Sequence, residues 1–376
     1  MKYLVTSDIH LGGLRTPTSH ICNSFRKCII TKENIDLDII FIAGDIFDRL
    51  IDTNSKELLM IIELFNDLFN FCHTNNIKLR ILEGTLSHDY NQSTILVKLN
   101  EIRQHKCDLK YHKVLDIEYI EQFNKHVLYI PDEWTNSHEE LEKQIQDKLN
   151  QYSITNVDIA ILHGQFKYQL VGKKYSGFFF KEEFFLPLVT GFIHVGHYHV
   201  YSRLDRIIVN GSLERLAHGE ESPKGYVLVD NDKFTFIENK NSYTYTTINI
   251  TNATTLERLD KIIKKFPLNS YVRLLLSKEH EFNINFTELK LRYLDYNLKK
   301  LIKENISESN SIAYILTDDN DIEVSDAFIL DTDIYNLLLS NIIAKHTLTE
   351  TENVKLLKYV ELFKHVEGDN ISEHEK

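Results

Sequence analysis

Five short clusters in this chain carry side chains suited to chemistry: Asp8-Ile9-His10, Gly44-Asp45-Ile46-Phe47-Asp48-Arg49, Gly84-Thr85-Leu86-Ser87-His88-Asp89, His163-Gly164 and Gly196-His197-Tyr198-His199. Carboxylates and imidazoles are donors to divalent metals and are also the acids and bases of hydrolysis. In Asp8–His10, and again in His197–His199, two such groups stand at i and i+2, so an extended backbone turns both the same way. One cluster alone has little weight. A D-x-H or a G-D recurs by chance, and most of the 17 histidines need no explanation beyond exposure. His194 and His218, close to the fifth cluster, receive that plain reading too. Order and placement weigh more, because each cluster follows a stretch that reads as a strand, where open α/β sheets gather their ligands. The mixture suits a pair of divalent metals sharing one carboxylate.

The elements that must position these groups are legible as short apolar runs. Residues 3–6, 39–43, 78–82, 127–130, 159–163 and 192–195 read as buried strands. Helical patterns lie between them, the longest over 53–74, with Leu58, Ile61, Ile62, Phe65, Leu68 and Phe69 on one face. Residues 138–151 form another. Strands alternating with helices predict an α/β sheet layered with helices. Residues 207–209, 226–229 and 234–237 read as further strands without helices between them and close a first domain, 1–235. A small α+β module follows at 240–305, with strands at 243–250 and 271–276 and a helix at 256–266. Residues 306–376 begin with a polar linker and end in two short helices, 333–345 and 350–366.

The chain has 376 residues, with 43 Lys+Arg against 55 Asp+Glu, a net charge of -12. That balance excludes a simple basic nucleic-acid sleeve but not an enzyme whose positive charge comes from metals or a partner. Four scattered cysteines form neither a disulfide framework nor a C-x-x-C metal site. The N-terminus turns polar after three apolar residues, and no run is long and apolar enough for a membrane span. A cytoplasmic protein is expected.

With D-x-H, G-D-x-x-D, H-G and G-H-x-H in this order, the sequence resembles the calcineurin-like metallophosphoesterases. Within them it is most similar to the nuclease subunit of the SbcCD complex and its phage recombination relatives. Gly211-Ser212-Leu213-Glu214-Arg215 resembles the G-S-x-x-R stretch that follows G-H-x-H in this nuclease family. The likeness is strong over 1–235 and one of layout beyond. It implies a metallophosphoesterase β-sandwich flanked by helices, with a small α+β capping domain and a C-terminal helical pair for partner binding.

The resemblance also implies roles. Asp8, His10, Asp45 and His199 match the ligands of a first metal, and Asp45, Ser87, His163 and His197 those of a second, with Asp45 bridging. The metals implied are two Mn²⁺, with Mg²⁺ as the alternative. His88 matches the residue that stabilises the phosphorane or protonates the leaving oxygen, and Asp89 would orient it. Asp48 is either close to the chemistry or a loop-anchoring acid. One departure stands out: the family carries G-N-H-D or G-N-H-E, and here Ser87 stands in the place of Asn, with two residues between it and Gly84. A hydroxyl is a poorer ligand than an amide carbonyl, so the expectation is that the second metal either binds weakly or is completed by water or by substrate phosphate.

The activity implied is a metal-dependent DNA nuclease, a double-strand exonuclease and single-strand endonuclease. It would work with an SbcC-like ATPase as a homodimer within a heterotetramer, in DNA recombination, repair or replication. Arg15, Lys167, Lys173, Lys174 and Lys181 flank the motifs, though each taken singly reads better as solvated surface. Two alternatives stand beside this reading. One is a phosphomonoesterase or small-molecule phosphodiesterase on the same fold. The other is a non-catalytic scaffold, for which Ser87 is the sole support.

Overall fold

In a computed structural model, which describes residues 1–315 apart from 133–134, 136, 171–176, 251–257, 278–283 and 304–313, the apolar runs form strands. β1 (Lys2–Thr6), β2 (Ile39–Ala43), β3 (Lys78–Leu82) and β4 (Leu109–His112) lie side by side in parallel. β5 (Asp116–Ile120), β6 (Lys125–Ile130), β7 (Ile159–His163), β8 (Ile193–Gly196), β9 (Ser202–Leu204) and β10 (Ile207–Val209) build a second sheet in the order β5-β6-β7-β8-β10-β9. The hairpin of β11 (Gly225–Asp230) and β12 (Lys233–Glu238) then returns to the first sheet and pairs antiparallel with β1. Both sheets have six strands.

Period-two alternation divides the side chains between two environments. Tyr3, Val5, Ile39, Phe41 and Ala43 meet Val127, Tyr129, Ile159, Ile161 and Ile208 between the sheets. Leu4, Ile40, Ile42, Leu79 and Ile81 face the other way, onto helices α1 (Thr18–Cys28) and α2 (Lys56–Thr74). The short α3 (Leu86–Asp89) follows β3, and α4 (Ser93–Glu101) adds Leu96 to the same core. α2 starts where Ser55 accepts the Leu58 N–H at 3.2 Å, an N-cap. Its Phe65 and Phe69 are fully buried, each worth about 1.5–3 kcal/mol of transfer free energy. α5 (His138–Tyr152) and α6 (Glu182–Leu188) cover the second sheet through Leu141, Ile145, Leu149 and Phe185. The result is the helix-flanked α/β sandwich that the resemblance implies.

Three strands of the sandwich have no counterpart in the apolar pattern: β4, β5 and β9. All three are edge strands. With one side open to water they carry no continuous apolar run, so periodicity does not single them out.

A third sheet follows, built from β13 (Tyr245–Ile250), β14 (Tyr271–Ser277), β15 (Asn297–Lys303) and β16 (Tyr314–Ile315). The first three are parallel, and β16 is antiparallel to β15. Helices α7 (Leu259–Ile263) and α8 (Phe286–Arg292) pack on it through Leu259, Ile263 and Leu289. Met1–Ile315 form one compact unit that holds both this cap and the sandwich. Thr16 Oγ1 meets Tyr245 Oη at 2.8 Å, and Tyr271 Oη donates to the Arg15 carbonyl at 3.3 Å. Buried Glu214 accepts the Tyr243 N–H at 2.7 Å and faces His20 Nε2 at 3.1 Å. The Gly211–Arg215 stretch is thus the joint between sandwich and cap. The expected helices at 333–345 and 350–366 lie outside the described residues. Among those residues no helix is long and apolar enough to cross a membrane.

Candidate metal centre

The chemistry-bearing clusters meet at one edge of the sandwich because each follows a parallel strand of one sheet or the other. Asp8 and His10 follow β1, Asp45 follows β2, the 84–89 segment follows β3, His163 ends β7, and His197 and His199 follow β8. The chain turns sharply there. Asp8, His10 and Asp45 hold φ of 51°, 54° and 51°, and His197 holds 92°. Non-glycine residues rarely occupy that region, and such strain concentrates at functional sites. Gly44 also has positive φ, and a Cβ there would lie 2.1 Å from His163 Nδ1. Only glycine lets β2 end against that ring.

Asp8, His10 and His199 form the first group. His10 Nδ1 meets Asp48 Oδ1 at 3.0 Å, and His199 Nδ1 meets Glu220 Oε1 at 2.8 Å. With a carboxylate on each Nδ1, both rings keep that proton and turn Nε2 inward, where the two Nε2 atoms stand 3.0 Å apart. Asp8 is fully buried. Its Oδ1 accepts the His197 N–H at 2.8 Å, while Oδ2 finds no hydrogen-bond partner among the described residues. Two facing imidazole nitrogens and an orphaned carboxylate oxygen are a donor set that suits a divalent cation. Glu220 is itself held by Lys224, a fully buried ammonium 3.0 Å from Oε2. The Glu220 carboxyl is pushed down to about 2: burial opposes this, and the His199 hydrogen bond and charge, with Lys224, outweigh it.

Asp45, His163 and His197 form the second group. Asp45 stands between the groups, with Oδ2 3.7 Å from His10 Nε2 and Oδ1 3.2 Å from His163 Nε2. Burial works against its charge, but the neighbouring His163, His10 and His88 hold the carboxyl far below its ordinary range. His163 Nδ1 donates to the Ala43 carbonyl at 2.7 Å, which aims Nε2 at Asp45.

The hydroxyl that faces this group belongs to Thr85. Its hydroxyl lies 3.3 Å from each of Asp45 Oδ2, His163 Nε2 and His197 Nδ1, and its N–H donates to Asp45 Oδ1 at 2.6 Å. Ser87, expected in that role, is exposed on α3 and is not among them. The correction has a simple cause. Thr85 directly follows Gly84, as Asn follows Gly in G-N-H-D, and the extra residues Leu86 and Ser87 form a helical turn that bulges into solvent. Counting backward from His88 selects Ser87; counting forward from Gly84 selects Thr85.

His88 sits beside the first group, its ring centroid 5.0 Å from that of His10. Its Nδ1 donates to the Asp48 carbonyl at 2.9 Å. Asp48 therefore serves both rings, His10 by its carboxylate and His88 by its carbonyl. Asp89 does not orient His88, contrary to expectation. It is fully buried and accepts the backbone N–H groups of Asp45 at 3.1 Å, Gly84 at 2.8 Å and Phe47 at 2.9 Å. Asp89 thus fixes the turn that carries Asp45. Burial and the Asp45 charge push its carboxyl up to about 8, against the N–H donors.

Glu220, Lys224 and Asp132 belong to this centre and carry no motif that marks them. Asp132, just past β6, brings Oδ2 to 3.9 Å from His197 Nδ1. On the cap side, His218 is packed edge-on to Tyr245, and its pKa is pushed down to about 3 by burial and then by Arg273, Lys299 and Arg15.

No family model matches the chain, and neither does any curated protein. Among solved structures it is similar to TT1561 of Thermus thermophilus, 11% identical with a TM-score of 0.39 over 64% of this chain and 99% of that one. Another crystal structure is 13% identical over 63% of this chain and 98% of its own, also with a TM-score of 0.39. At that level neither likeness bears on function, and the centre stands on its own geometry.

Proposed function

We propose that this chain is a divalent-metal-dependent phosphodiester hydrolase of the calcineurin-like metallophosphoesterase type, acting on DNA as an SbcD-like nuclease subunit. The observation that carries this reading is the convergence of Asp8, His10 and His199 into one group and Asp45, His163 and His197 into another, with Asp45 standing between them. The orphaned Asp8 oxygen and the facing imidazole nitrogens support a cation in the first group. Bound Mn²⁺ or Mg²⁺ ions would polarise the phosphodiester and acidify the attacking water.

The chain's own residues do the rest. Asp48 and Glu220 hold His10 and His199 in the tautomer that turns Nε2 inward. Asp89 keeps Asp45 in place between the groups. The Asp48 carbonyl fixes His88 through Nδ1, so Nε2 is the atom that, in the imidazolium form, would give its proton to the leaving oxygen or donate to a phosphoryl oxygen. The choice of DNA over a phosphomonoester follows the sequence resemblance. The partner, an SbcC-like ATPase, and assembly as a homodimer within a heterotetramer rest on the sequence resemblance. Pull-down of the ATPase by the full chain and by a chain lacking 333–376 tests the tail's part in it.

The deciding experiment is cleavage of linear duplex DNA in Mn²⁺, Mg²⁺ or EDTA, beside hydrolysis of a chromogenic phosphomonoester. DNA cleavage in Mn²⁺ that is lost in EDTA and in a folded Asp45→Ala variant supports the nuclease. Monoester turnover with intact DNA would replace it with the phosphomonoesterase, and wild-type activity of Asp45→Ala would end the shared-carboxylate reading.

A further inference from the structure

Asp45 stands between the two groups, which are otherwise built from unequal donors. The first adds a carboxylate of its own, Asp8, and both its imidazoles lean on carboxylates at 3.0 and 2.8 Å. Such partners raise imidazole basicity and are worth about 10–100-fold in metal affinity. The second group has no further carboxylate at hydrogen-bond distance among the described residues. His163 leans on the neutral Ala43 carbonyl, and Asp132 stands off from His197 at 3.9 Å. Its fourth donor is the Thr85 hydroxyl, equidistant at 3.3 Å from Asp45, His163 and His197. A hydroxyl that keeps its proton offers a cation a smaller dipole than an amide carbonyl, so it is the weaker oxygen ligand.

From this we infer that Thr85 is a metal ligand, and that its hydroxyl makes the second position the weaker one, so the centre fills in two separate steps. The inference rests on the two-metal reading above and adds an order of occupancy to it. The first step fills the Asp8, His10 and His199 position. The second fills the Thr85 position at higher metal concentration. The plain alternative is that Thr85 serves only as a hydrogen-bond partner of Asp45.

Mn²⁺ titration of the full chain without DNA, followed calorimetrically and by the spin-resonance signal of free Mn²⁺, separates these readings. Wild type should take up two ions in steps at least about tenfold apart. Thr85→Val keeps the branched shape, removes the hydroxyl, and should retain the tight ion while losing the weak one. Thr85→Ser restores a hydroxyl and should restore the weak step. Thr85→Asn supplies an amide oxygen and should draw the two steps together. Two unaltered binding steps in a folded Thr85→Val variant would overturn the inference, as would a single shared affinity in wild type. No Mn²⁺ uptake by wild type would instead remove the metal reading on which it rests. If Thr85→Val fails to fold, the Ser and Asn variants decide: a weak step unmoved in Thr85→Asn overturns the inference, and a tightened one supports it.

Discussion

Removing Asp89 should destabilise the whole protein, not just its chemistry. Its carboxyl group is fully buried and takes three backbone N–H groups from two separate turns, those of Asp45, Phe47 and Gly84. Asp89→Ala leaves all three donors without a partner. A buried unsatisfied donor costs about 1–3 kcal/mol, so together the three approach ~3–9 kcal/mol. That is a large share of the ~5–15 kcal/mol that holds a typical domain together. Asp89→Asn is milder. Its amide oxygen can replace Oδ2, which serves Asp45 and Gly84, and the amide nitrogen then faces only the Phe47 N–H. One lost bond predicts about 1–3 kcal/mol. Urea unfolding followed by circular dichroism measures both variants, and the Ala variant should lose two to three times what the Asn variant loses. Equal losses, or an Ala variant that unfolds at the wild-type midpoint, would show that Asp89 is not the anchor of these turns and would return it to a role through His88.

Further outcomes follow from the same geometry. Ser87→Ala should leave Mn²⁺ binding and stability unchanged, within about 0.5 kcal/mol, because the side chain is exposed; loss of a bound ion on calorimetry would contradict the placement of Thr85. Glu220→Gln paired with Lys224→Met, which avoids stranding the buried ammonium, should weaken the tight Mn²⁺ step by ~10-fold or more while the second step stays in place; an unmoved first step would mean that Glu220 does not act on His199. His194 is buried between Tyr3 and Asn210, and burial pushes its pKa down to about 4. The unfolded chain therefore takes a proton near pH 6.5 that the folded chain refuses, so this residue withdraws stability as pH falls from about 6.5 to 4, by roughly 3 kcal/mol in all. Urea midpoints at several pH values should fall less steeply in His194→Gln than in wild type, and identical slopes would refute that account.

The sequence by itself determined the strands and most of the donors. Apolar runs such as Ile39–Ala43 and Ile159–His163 are buried on both faces, so their hydrophobicity is continuous and easily read. Asp8, His10, Asp45, His163, His197 and His199 stand at the ends of those runs, which is enough to gather them at one sheet edge. Edge strands such as Leu109–His112 escaped because half their surroundings are water. The sequence pattern pointed to Ser87 as the hydroxyl of the centre, and the structure puts Thr85 there instead. That depended on whether the two extra residues after Thr85 extend the turn inward or outward, and the helical turn Leu86–Asp89 sends them outward. Tertiary structure alone decided the partners of the donors. Glu220 reaches His199 across 21 residues, Asp89 reaches Asp45 across 44, and Asp132 approaches His197 from a different strand. Such pairings belong to no local period. They follow from where parallel strands of two sheets end, and that is fixed by packing along the whole length of the sandwich.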